Sequence, residues 1–460
     1  MEVSCIKKCF NDLETKNFLL FYLLCRCRFK YFSKKDIEKY QKRRTEGMVK
    51  YAVNYSNFFK KYYSRYDLKT FKSLPTVNKK VMMENLTEYN TVGLTKEEIL
   101  KFCLEVEESR DFSRRLKGMN IGMSSGTSGN KGVEIVTQQE EMYTKAALLA
   151  RFDFPKGEKI NLAFILRVST PAFNLDILGH KLTYISQLQP IEAIVEQLSE
   201  LQPNVISGPP SMLKIIAKEV EEGRLNIAPK RVVSYAEVLY PDVREYLSKI
   251  FNCVVHEIYK CTEGAIALSC KYGNLHINED LVYVETLNND GTETPVGKPC
   301  QKLIVTDLHK KSQPIIRYEL NDIITISPKR CKCGSSFRVI EKIQGRADDV
   351  FWAKILNSGK WQYIFPDYIS RAVISSSEDI EEYQVIQKSP EVVLVRLQIK
   401  KNVNFNQKIL IQSMEDVFRK YNCKIPKIIV EFKRPEVNKN SRKLIRIHRE
   451  FKLKNNRYAK

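Results

Sequence analysis

The chain has 460 residues, of which 43% are hydrophobic, and it carries a formal net charge of +22 at pH 7. This length and composition predict a globular protein of about two to four domains, and no stretch approaches the ~18–20 apolar residues that a membrane span requires. Basic residues are spread over the whole chain among acidic ones, without an arginine-rich arm, so we do not expect nucleic-acid binding. A nucleotide, CoA or an acidic carrier protein is a more economical partner for this charge.

The N-terminal part, residues 1–70, is predicted to be helical, and the stretch from Lys35 to Tyr63 has the periodicity of one or two amphipathic helices. Its most apolar segment, 17–25, lies between Lys16 and Arg26 and is interpreted as a buried or interfacial helix. The segment is a poor signal peptide, because acidic residues precede it and no small-residue cleavage site follows. We therefore expect the protein to stay in the cytoplasm.

A stretch of glycines and hydroxyl residues at 124–132 is predicted to bind phosphate. Glycines let the backbone turn so that its N–H groups point inward, and Lys131 supplies positive charge. It is not a Walker A loop, because glycine follows Lys131. A flexible surface turn is the alternative interpretation. The candidate phosphate-binding residues are Ser124, Ser125, Gly126, Thr127, Ser128, Gly129 and Lys131.

From about residue 119, short apolar runs alternate with helical patterns, which predicts an α/β domain with a largely parallel sheet. Two polar motifs stand where such strands should end, at 234–238 and 259–264. Ligands commonly bind at this edge of a parallel sheet. Glu263 is a candidate Mg²⁺ ligand, because a carboxylate facing a phosphate loop needs a cation or a hydroxyl between the like charges. A solvated loop carboxylate is the alternative.

Strand-like segments at 281–285, 302–307 and 323–326 have little helix between them and suggest a smaller β-rich subdomain. A break near residues 345–349 precedes a small α+β domain with a helix around 406–421. We therefore expect a helical N-terminal part at 1–118, an α/β core with its β-rich subdomain at 119–344, and a C-terminal domain at 345–460.

The twelve cysteines of this chain do not predict a disulfide framework in a cytoplasmic protein of this size. Cys270, His276, Cys331 and Cys333 nevertheless combine three thiols with one imidazole, a common ligand set for structural zinc. The C-x-C spacing is less typical than C-x₂-C, so buried unpaired thiols with a surface His276 are the alternative.

The order of these motifs resembles that of the adenylate-forming superfamily, over roughly residues 40–450. Within it the chain is most similar to the branch of phenylacetate-CoA ligases, deazaflavin-cofactor synthetases and capsule-cluster homologues, and to a bacterial group known only as adenylate-forming enzymes. The motifs that carry the resemblance follow one another at 124–132, 234–238, 259–264, 317–322 and 345–349, with a lysine near the C-terminus. The resemblance implies a large α/β domain of several subdomains and a small, mobile α+β C-terminal domain.

The resemblance implies ATP-dependent adenylation of a carboxylate, with release of pyrophosphate, and transfer of the acyl group to CoA or to a carrier protein. The loop at 124–132 would hold the β- and γ-phosphates. Thr262 would contact the α-phosphate and Glu263 would bind Mg²⁺. Asp322 would accept hydrogen bonds from both ribose hydroxyls.

Other residues follow from the same resemblance. Ala236, Glu237 and Tyr259 would line the adenine slot, and Arg346 would reach the ribose or a phosphate. Some relatives of the phenylacetate-ligase branch are similar in their Cys/His set. The acyl pocket would come from segments 165–175, 207–210 and 236–239.

Two further residues would act in domain movement and catalysis. Asp348 matches the hinge about which the small domain rotates after adenylation. Lys443 matches the lysine that stabilises the adenylation transition state. Arg442 stands where the family usually has glycine, so Lys439 or Arg442 could supply the cation instead, and a solvated Lys443 is a further alternative. The phosphate loop is also one residue shorter than in many relatives.

An amide- or ester-forming ligase, an enzyme that stops at the adenylate, and a non-catalytic nucleotide-binding protein are the alternative functions. The joint presence of Glu263, Asp322, Arg346 and a terminal lysine favours an enzyme. The carboxylate, the acceptor and the oligomeric state are not predicted from the sequence.

Overall fold

The computed structural model describes residues 13–109, 111–123, 132–151, 158–166, 176–177, 179–346, 349–436 and 444–451. Several predicted functional residues lie outside these ranges: the phosphate-binding residues at 124–131, Asp348, and the three cations Lys439, Arg442 and Lys443.

Helices form the N-terminal part of the structure, as predicted. The second helix begins with a reciprocal cap, in which Ser33 accepts a hydrogen bond from the Asp36 backbone and the Asp36 carboxylate accepts one from Ser33. Within the described chain, none of the helices has the length and apolar content of a membrane span. The helices of this part are α1 (Leu13–Tyr31), α2 (Lys34–Tyr55), α3 (Asn57–Tyr62), α4 (Lys79–Glu84), α5 (Leu86–Tyr89) and α6 (Lys96–Ser109), with a 3₁₀ turn at Phe71–Ser73.

Five parallel strands form the centre of a ten-stranded sheet, in the order β5-β3-β6-β7-β8. The chain adds β5 on one side of β3 and then β6, β7 and β8 on the other, so its direction across the sheet reverses between β3 and β6. The strands are β3 (Asn161–Leu166), β5 (His180–Ser186), β6 (Val205–Gly208), β7 (Arg231–Tyr235) and β8 (Val255–Cys261). The helices are α7 (Gln138–Arg151), before β3, and α8 (Ile191–Leu201), α9 (Pro210–Glu221) and α10 (Pro241–Phe251), between strands.

Antiparallel strands extend this sheet at both edges. β4 (Asp176–Ile177) pairs with β5 at one edge. Beyond β8 the order continues β9-β10-β15-β14, and these strands are β9 (Gly264–Ser269), β10 (Leu275–Ile277), β14 (Asp322–Ile326) and β15 (Val339–Arg346). A separate three-stranded sheet consists of β11 (Val282–Leu287), β12 (Lys302–Asp307) and β13 (Tyr318–Leu320).

The strand predicted at 323–326 therefore does not lie in the separate β-rich sheet with its two neighbours. It is part of β14, which pairs with β15 in the large sheet. In this pairing Ile324 lies opposite Ile343 and Ile326 opposite Ile340.

The C-terminal part has a hydrophobic core of its own, which includes Phe351, Val393, Leu410 and Phe418. A four-stranded sheet of order β20-β19-β18-β21 packs with two helices in this part, in agreement with the predicted α+β fold. Its elements are β16 (Phe351–Lys354), β17 (Trp361–Ile364), α11 (Pro366–Ile374), β18 (Ile380–Ser389), β19 (Val392–Ile399), α12 (Gln407–Lys420), β20 (Lys427–Glu431) and β21 (Ile447–Arg449). The exact domain boundaries at 118/119 and 344/345 stay predictions.

Candidate active site

The strand order reverses between β3 and β6, and in α/β sheets ligands commonly bind beyond the carboxyl ends of the strands at such a switch point. The backbones approach closely here, because a Cβ at Gly208 would lie 3.2 Å from the Ile165 carbonyl oxygen. Two segments predicted for the acyl pocket, at 165–166 and 207–210, meet at this switch point. Residues 167–175 of the same prediction lie outside the described chain.

The ends of the predicted phosphate loop are held by two short strands, β1 (Asn120–Met123) and β2 (Val133–Val136). These strands pair antiparallel, with Met123 opposite Val133, so the loop connects the two arms of a hairpin. Gln313 anchors β2, since its side chain accepts from the Ile135 N–H at 3.0 Å and donates to the Val133 carbonyl at 3.0 Å. No pattern in the sequence indicated this role for Gln313, which lies in an irregular segment without a motif.

Tyr259 and Asp322, predicted at the adenine and the ribose, are in direct contact. The Tyr259 hydroxyl donates a 2.5 Å hydrogen bond to Asp322 Oδ2. Burial, and then the nearby Asp322 charge, raise the pKa of Tyr259 well above its ordinary value. Tyr259 therefore stays protonated at neutral pH and acts as a donor that orients the Asp322 carboxylate.

Thr262 and Glu263 form the two-residue turn between β8 and β9, with Cys261 paired to Gly264. β8 runs through Cys261, so the motif predicted to follow the strand instead begins within it. The Thr262 hydroxyl donates to Glu263 Oε2 at 2.8 Å, and Glu263 is 5% exposed. The structure thus places the predicted α-phosphate contact and the predicted Mg²⁺ ligand side by side in one tight turn.

Two lysines that the sequence interpretation did not single out connect this turn to the phosphate-loop hairpin. Lys260 Nζ lies 3.2 Å from a Glu134 carboxylate oxygen, and Lys310 Nζ lies 3.7 Å from the other. Lys310 also donates to the Thr262 carbonyl at 3.3 Å. Glu134 is on β2, so this cluster ties the arm that leaves the phosphate loop to the turn that carries Glu263. Lys260 could have been noticed as a charge within a strand motif.

Asp307 lies behind the same turn. A Cβ at Gly264 would be 3.4 Å from Asp307 Oδ2, so glycine allows β9 and β12 to approach closely. Asp307 accepts hydrogen bonds from the backbone N–H groups of His309 and Lys310 at 2.8 and 2.7 Å. Burial outweighs these bonds and raises the pKa of Asp307 to about 6.

Ala236 and Glu237, predicted in the adenine slot, follow β7 directly. Ala236 has a φ of +70°, a left-handed conformation that is costly for a residue with a side chain and that clusters at ligand sites. Glu237 accepts a hydrogen bond of 3.2 Å from the Ser211 backbone N–H in the first turn of α9. The Glu237 carboxylate thus contacts a helix N-terminus, which favours negative charge.

The backbone of Arg346 pairs directly opposite Asp322 across β14 and β15. This register places two predicted nucleotide-binding positions next to each other. The structure does not describe the Arg346 side chain, the predicted phosphate-binding loop, the predicted hinge residue Asp348 or Lys443. The roles of these residues stay predictions.

The four predicted metal ligands, Cys270, His276, Cys331 and Cys333, come together, with ligand atoms all within 4.8 Å of one another. The Cys270 and Cys331 sulfur atoms are 3.6 Å apart, and Cys333 Sγ lies 3.3 Å from His276 Nε2. Tetrahedral zinc with Zn–S bonds of about 2.3 Å separates its sulfur ligands by roughly 3.7 Å. The donor set and its spacing therefore fit zinc.

The surroundings of this cluster also suit a metal site. His276 is buried, and its Nδ1 atom lies 2.9 Å from the Phe337 carbonyl, an arrangement that directs Nε2 toward the thiols. The Asn274 amide donates to Cys331 Sγ at 3.2 Å. The hydrogen bond between Cys333 and Cys270 lowers the pKa of Cys270 and raises that of Cys333, which favours a thiolate within the pair. The alternative of a surface His276 is wrong, because the ring is 1% exposed.

Cys261 and His256 both lie on β8, and burial shifts the pKa of each. Burial raises the pKa of Cys261 well above its ordinary value, which disfavours a thiolate nucleophile. His256 is a buried residue of β8, and burial lowers its pKa to about 4.

Comparisons with known proteins agree with the predicted resemblance. A family model described as AMP-binding enzyme matches residues 68–315. Protein CapK of Staphylococcus aureus is 22% identical over 405 residues, which cover 84% of this chain and 83% of CapK. A phenylacetate-coenzyme A ligase of Pseudomonas putida is 26% identical over 286 residues, which cover 58% of this chain and 62% of the ligase.

Solved structures confirm the fold class. A 2-hydroxyisobutyryl-CoA ligase in the postadenylation state matches with a TM-score of 0.67 at 15% identity, over 88% of this chain and 87% of that chain. An anthranilate CoA ligase in complex with anthranoyl-AMP matches with a TM-score of 0.51 at 14% identity, over 70% of this chain and 65% of that chain. At these identities the likeness concerns the fold.

Proposed function

Because the chain belongs to the AMP-binding enzyme family, we propose that it transfers the AMP moiety of ATP to a carboxylic acid, with release of pyrophosphate, and then passes the acyl group to a thiol. The thiol is that of CoA or of a carrier protein's phosphopantetheine arm. The observation that carries the proposal is the convergence of Tyr259, Asp322 and the Thr262–Glu263 turn beside the hairpin of the glycine-rich loop.

In the first step, a carboxylate oxygen of the acid attacks the α-phosphorus of ATP, and the bond from that phosphorus to the bridging oxygen of pyrophosphate breaks. Pyrophosphate leaves with the bonding electron pair. In the second step, the thiol sulfur attacks the acyl carbon, AMP leaves, and the thiol proton passes to solvent. Both steps depend chiefly on positioning and on neutralising charge at phosphate oxygens.

The nucleoside would be held by the contact between Tyr259 and Asp322. The Asp322 carboxylate has two acceptor oxygens, which suits the two ribose hydroxyls. The Tyr259 hydroxyl fixes the orientation of this carboxylate before ATP arrives. Ala236 and Glu237 would border the adenine, and Arg346, opposite Asp322, would reach the ribose or a phosphate.

The phosphates would lie between the glycine-rich loop and the Thr262–Glu263 turn. Thr262 donates a hydrogen bond to the α-phosphate in this proposal. Glu263 supplies a carboxylate oxygen, the ligand type that Mg²⁺ prefers, and bound Mg²⁺ supplies positive charge to the phosphate oxygens. Lys443 of the small domain stabilises the charge that builds up at the α-phosphate, and Asp348 is the hinge.

The Cys/His cluster is proposed to be a structural zinc site. Four protein ligands close the coordination shell, which is typical of structural rather than catalytic zinc. Cys331 and Cys333 lie in the connection between β14, which begins at Asp322, and β15, which ends at Arg346. The cluster joins this connection to the β9–β10 hairpin, so zinc would hold in place the strand pair that carries both nucleotide-binding residues.

Carboxylate-dependent exchange of labelled pyrophosphate into ATP tests the first step. A panel of phenylacetate, benzoate, anthranilate and 2-hydroxyisobutyrate covers aryl and short acyl groups. Exchange with at least one acid supports the proposal, and its absence with every acid of a broad panel favours a non-catalytic nucleotide-binding protein. Product analysis with CoA, a phosphopantetheinylated carrier protein, an amine or an alcohol as acceptor then separates thioester formation from amide or ester formation.

A further inference from the structure

Arg446 joins the small C-terminal part to the large α/β domain. Its guanidinium group is 2.7 Å from Glu382 of β18 and 3.3 Å from Asp242 in the first turn of α10. The same group lies over the ring of Tyr383, 4.9 Å from the ring centre, and over that of Tyr240, at 5.2 Å. Each side of the contact thus supplies one carboxylate and one aromatic ring to a side chain that is 6% exposed.

Lysines of α9 extend this contact. Lys214 of α9 lies 3.3 Å from the other carboxylate oxygen of Glu382, and it also donates to the Glu381 carbonyl. Lys218 of α9 also pairs with the Glu381 carboxylate at 3.2 Å, so three cations face three carboxylates at this contact. Arg446 is the buried member of the set, and the contact favours one specific arrangement because removing a partner would leave its buried charge uncompensated.

The position of Arg446 in the chain relates the contact to the proposed chemistry. Arg446 is three residues beyond Lys443, and three extended residues span at most about 11 Å. β21, which follows directly, pairs in parallel with Val385–Gln387 of β18. On the other side, Asp242 lies five residues beyond Glu237, at the start of the helix that follows the predicted adenine slot. The contact at Arg446 therefore joins the start of β21, three residues after Lys443 in the sequence, to the helix that follows the predicted adenine slot.

We propose that Arg446 is a positioning residue that holds the small domain in the arrangement for adenylation, through Asp242 and Tyr240. This inference rests on the proposed function, which includes rotation of the small domain before thiol transfer. This arrangement suits a contact that breaks when the small domain rotates away from α10. When the small domain turns away, Arg446 keeps Glu382 and Tyr383, which move with it. Asp242 remains at a helix N-terminus, where negative charge is favourable.

The test separates the two half-reactions in Asp242→Asn and Arg446→Met, which alter the contact from opposite sides. We expect pyrophosphate exchange, measured with the best acid of the panel, to fall at least tenfold in both variants. Thioester formation from the matching synthetic acyl-adenylate should stay within twofold of the wild type. Glu245→Gln, an exposed carboxylate on the same helix α10, is the matched control and should leave both rates unchanged.

Exchange within twofold of the wild type in Asp242→Asn, or an equal loss in both half-reactions, would overturn the inference. A second measurement tests the Arg446 contact independently of the proposed function. If the wild type shows no exchange with any acid, small-angle X-ray scattering still reports the domain arrangement. A larger radius of gyration in Asp242→Asn and Arg446→Met than in Glu245→Gln supports the contact, and equal radii refute it.

Discussion

The Tyr259 hydroxyl and the Asp322 carboxylate are 2.5 Å apart although their strands are not neighbours. β9, β10 and β15 stand between β8 and β14 in the order of the sheet, a separation of roughly 19 Å in a flat sheet. The antiparallel half of the sheet must therefore curl strongly toward β8. This curvature is what brings residues distant in the chain and in the sheet to one candidate nucleotide site.

Replacing Tyr259 with Phe removes the donor that orients Asp322 and leaves the ring in place. Hydrogen bonds to charged groups contribute about 1.5–3 kcal/mol. We expect the KM for ATP to rise about tenfold or more, with kcat changed less than threefold, since the bond serves binding. Steady-state kinetics of pyrophosphate exchange measures both. Tyr272→Phe, at an exposed tyrosine, is the control. An unchanged KM for ATP in Tyr259→Phe would contradict the proposal that Tyr259 orients Asp322 for ATP binding.

The ion pairs of Glu134 predict an unequal effect of removing either partner. Lys260→Met leaves Glu134 paired with Lys310, whereas Glu134→Gln removes the carboxylate that Lys260 and Lys310 share. Glu134→Gln should therefore lower the free energy of unfolding more, by about 1–2 kcal/mol beyond Lys260→Met. Urea denaturation measures this difference. Lys230→Met, which removes an exposed pair with Glu158, should cost less than about 0.5 kcal/mol, and equal losses in the two test variants would contradict the argument.

Local patterns predicted the α/β fold class, and the resemblance to a known family supplied most residues of the candidate site. The motif at 234–238 begins on β7 and continues beyond its end, and the four Cys/His ligands come together as their residue types suggested. Lys310 and Gln313 were missed because they come from an irregular segment with no recognisable pattern, and only tertiary packing brings them to β2 and the Thr262 turn. The membership of β14 in the large sheet was missed for a similar reason, since strand pairing depends on distant partners.

The raised pKa of Asp307 predicts how stability changes with pH. The folded pKa, about 6, lies above the ordinary value of 3.8. Between these values the folded state binds more protons than the unfolded state, so the free energy of unfolding falls as pH rises. Asp307→Asn, which stays neutral, should be more stable than the wild type at pH 8, by at most about 3 kcal/mol. This advantage should disappear toward pH 4, and urea denaturation at both pH values checks it; an advantage independent of pH would contradict the assignment.

Lys443→Ala tests which cation of the C-terminal segment serves adenylation. The lysine is proposed to act on charge that builds up in the transition state, so its loss should lower exchange at least 100-fold and change ATP affinity little. Isothermal titration of ATP and the exchange assay measure the two quantities. Lys439→Ala and Arg442→Ala examine the alternative cations, and Lys433→Ala, which removes an exposed pair with Glu436, is the control. Exchange at the wild-type rate in Lys443→Ala, with loss in either alternative, would move the role to that residue.

Metal analysis tests the Cys/His cluster directly. Elemental analysis of the purified protein should give about one zinc per chain. Cys331→Ser should lose the metal, because its thiolate is one of only four ligands, whereas Cys27→Ser, at an exposed cysteine, should retain it. The zinc-free variant should melt at a lower temperature and show a raised KM for ATP, since the cluster holds the connection between the strands of Asp322 and Arg346. Zinc retained in Cys331→Ser, or metal loss without a change in melting temperature, would contradict a structural zinc site.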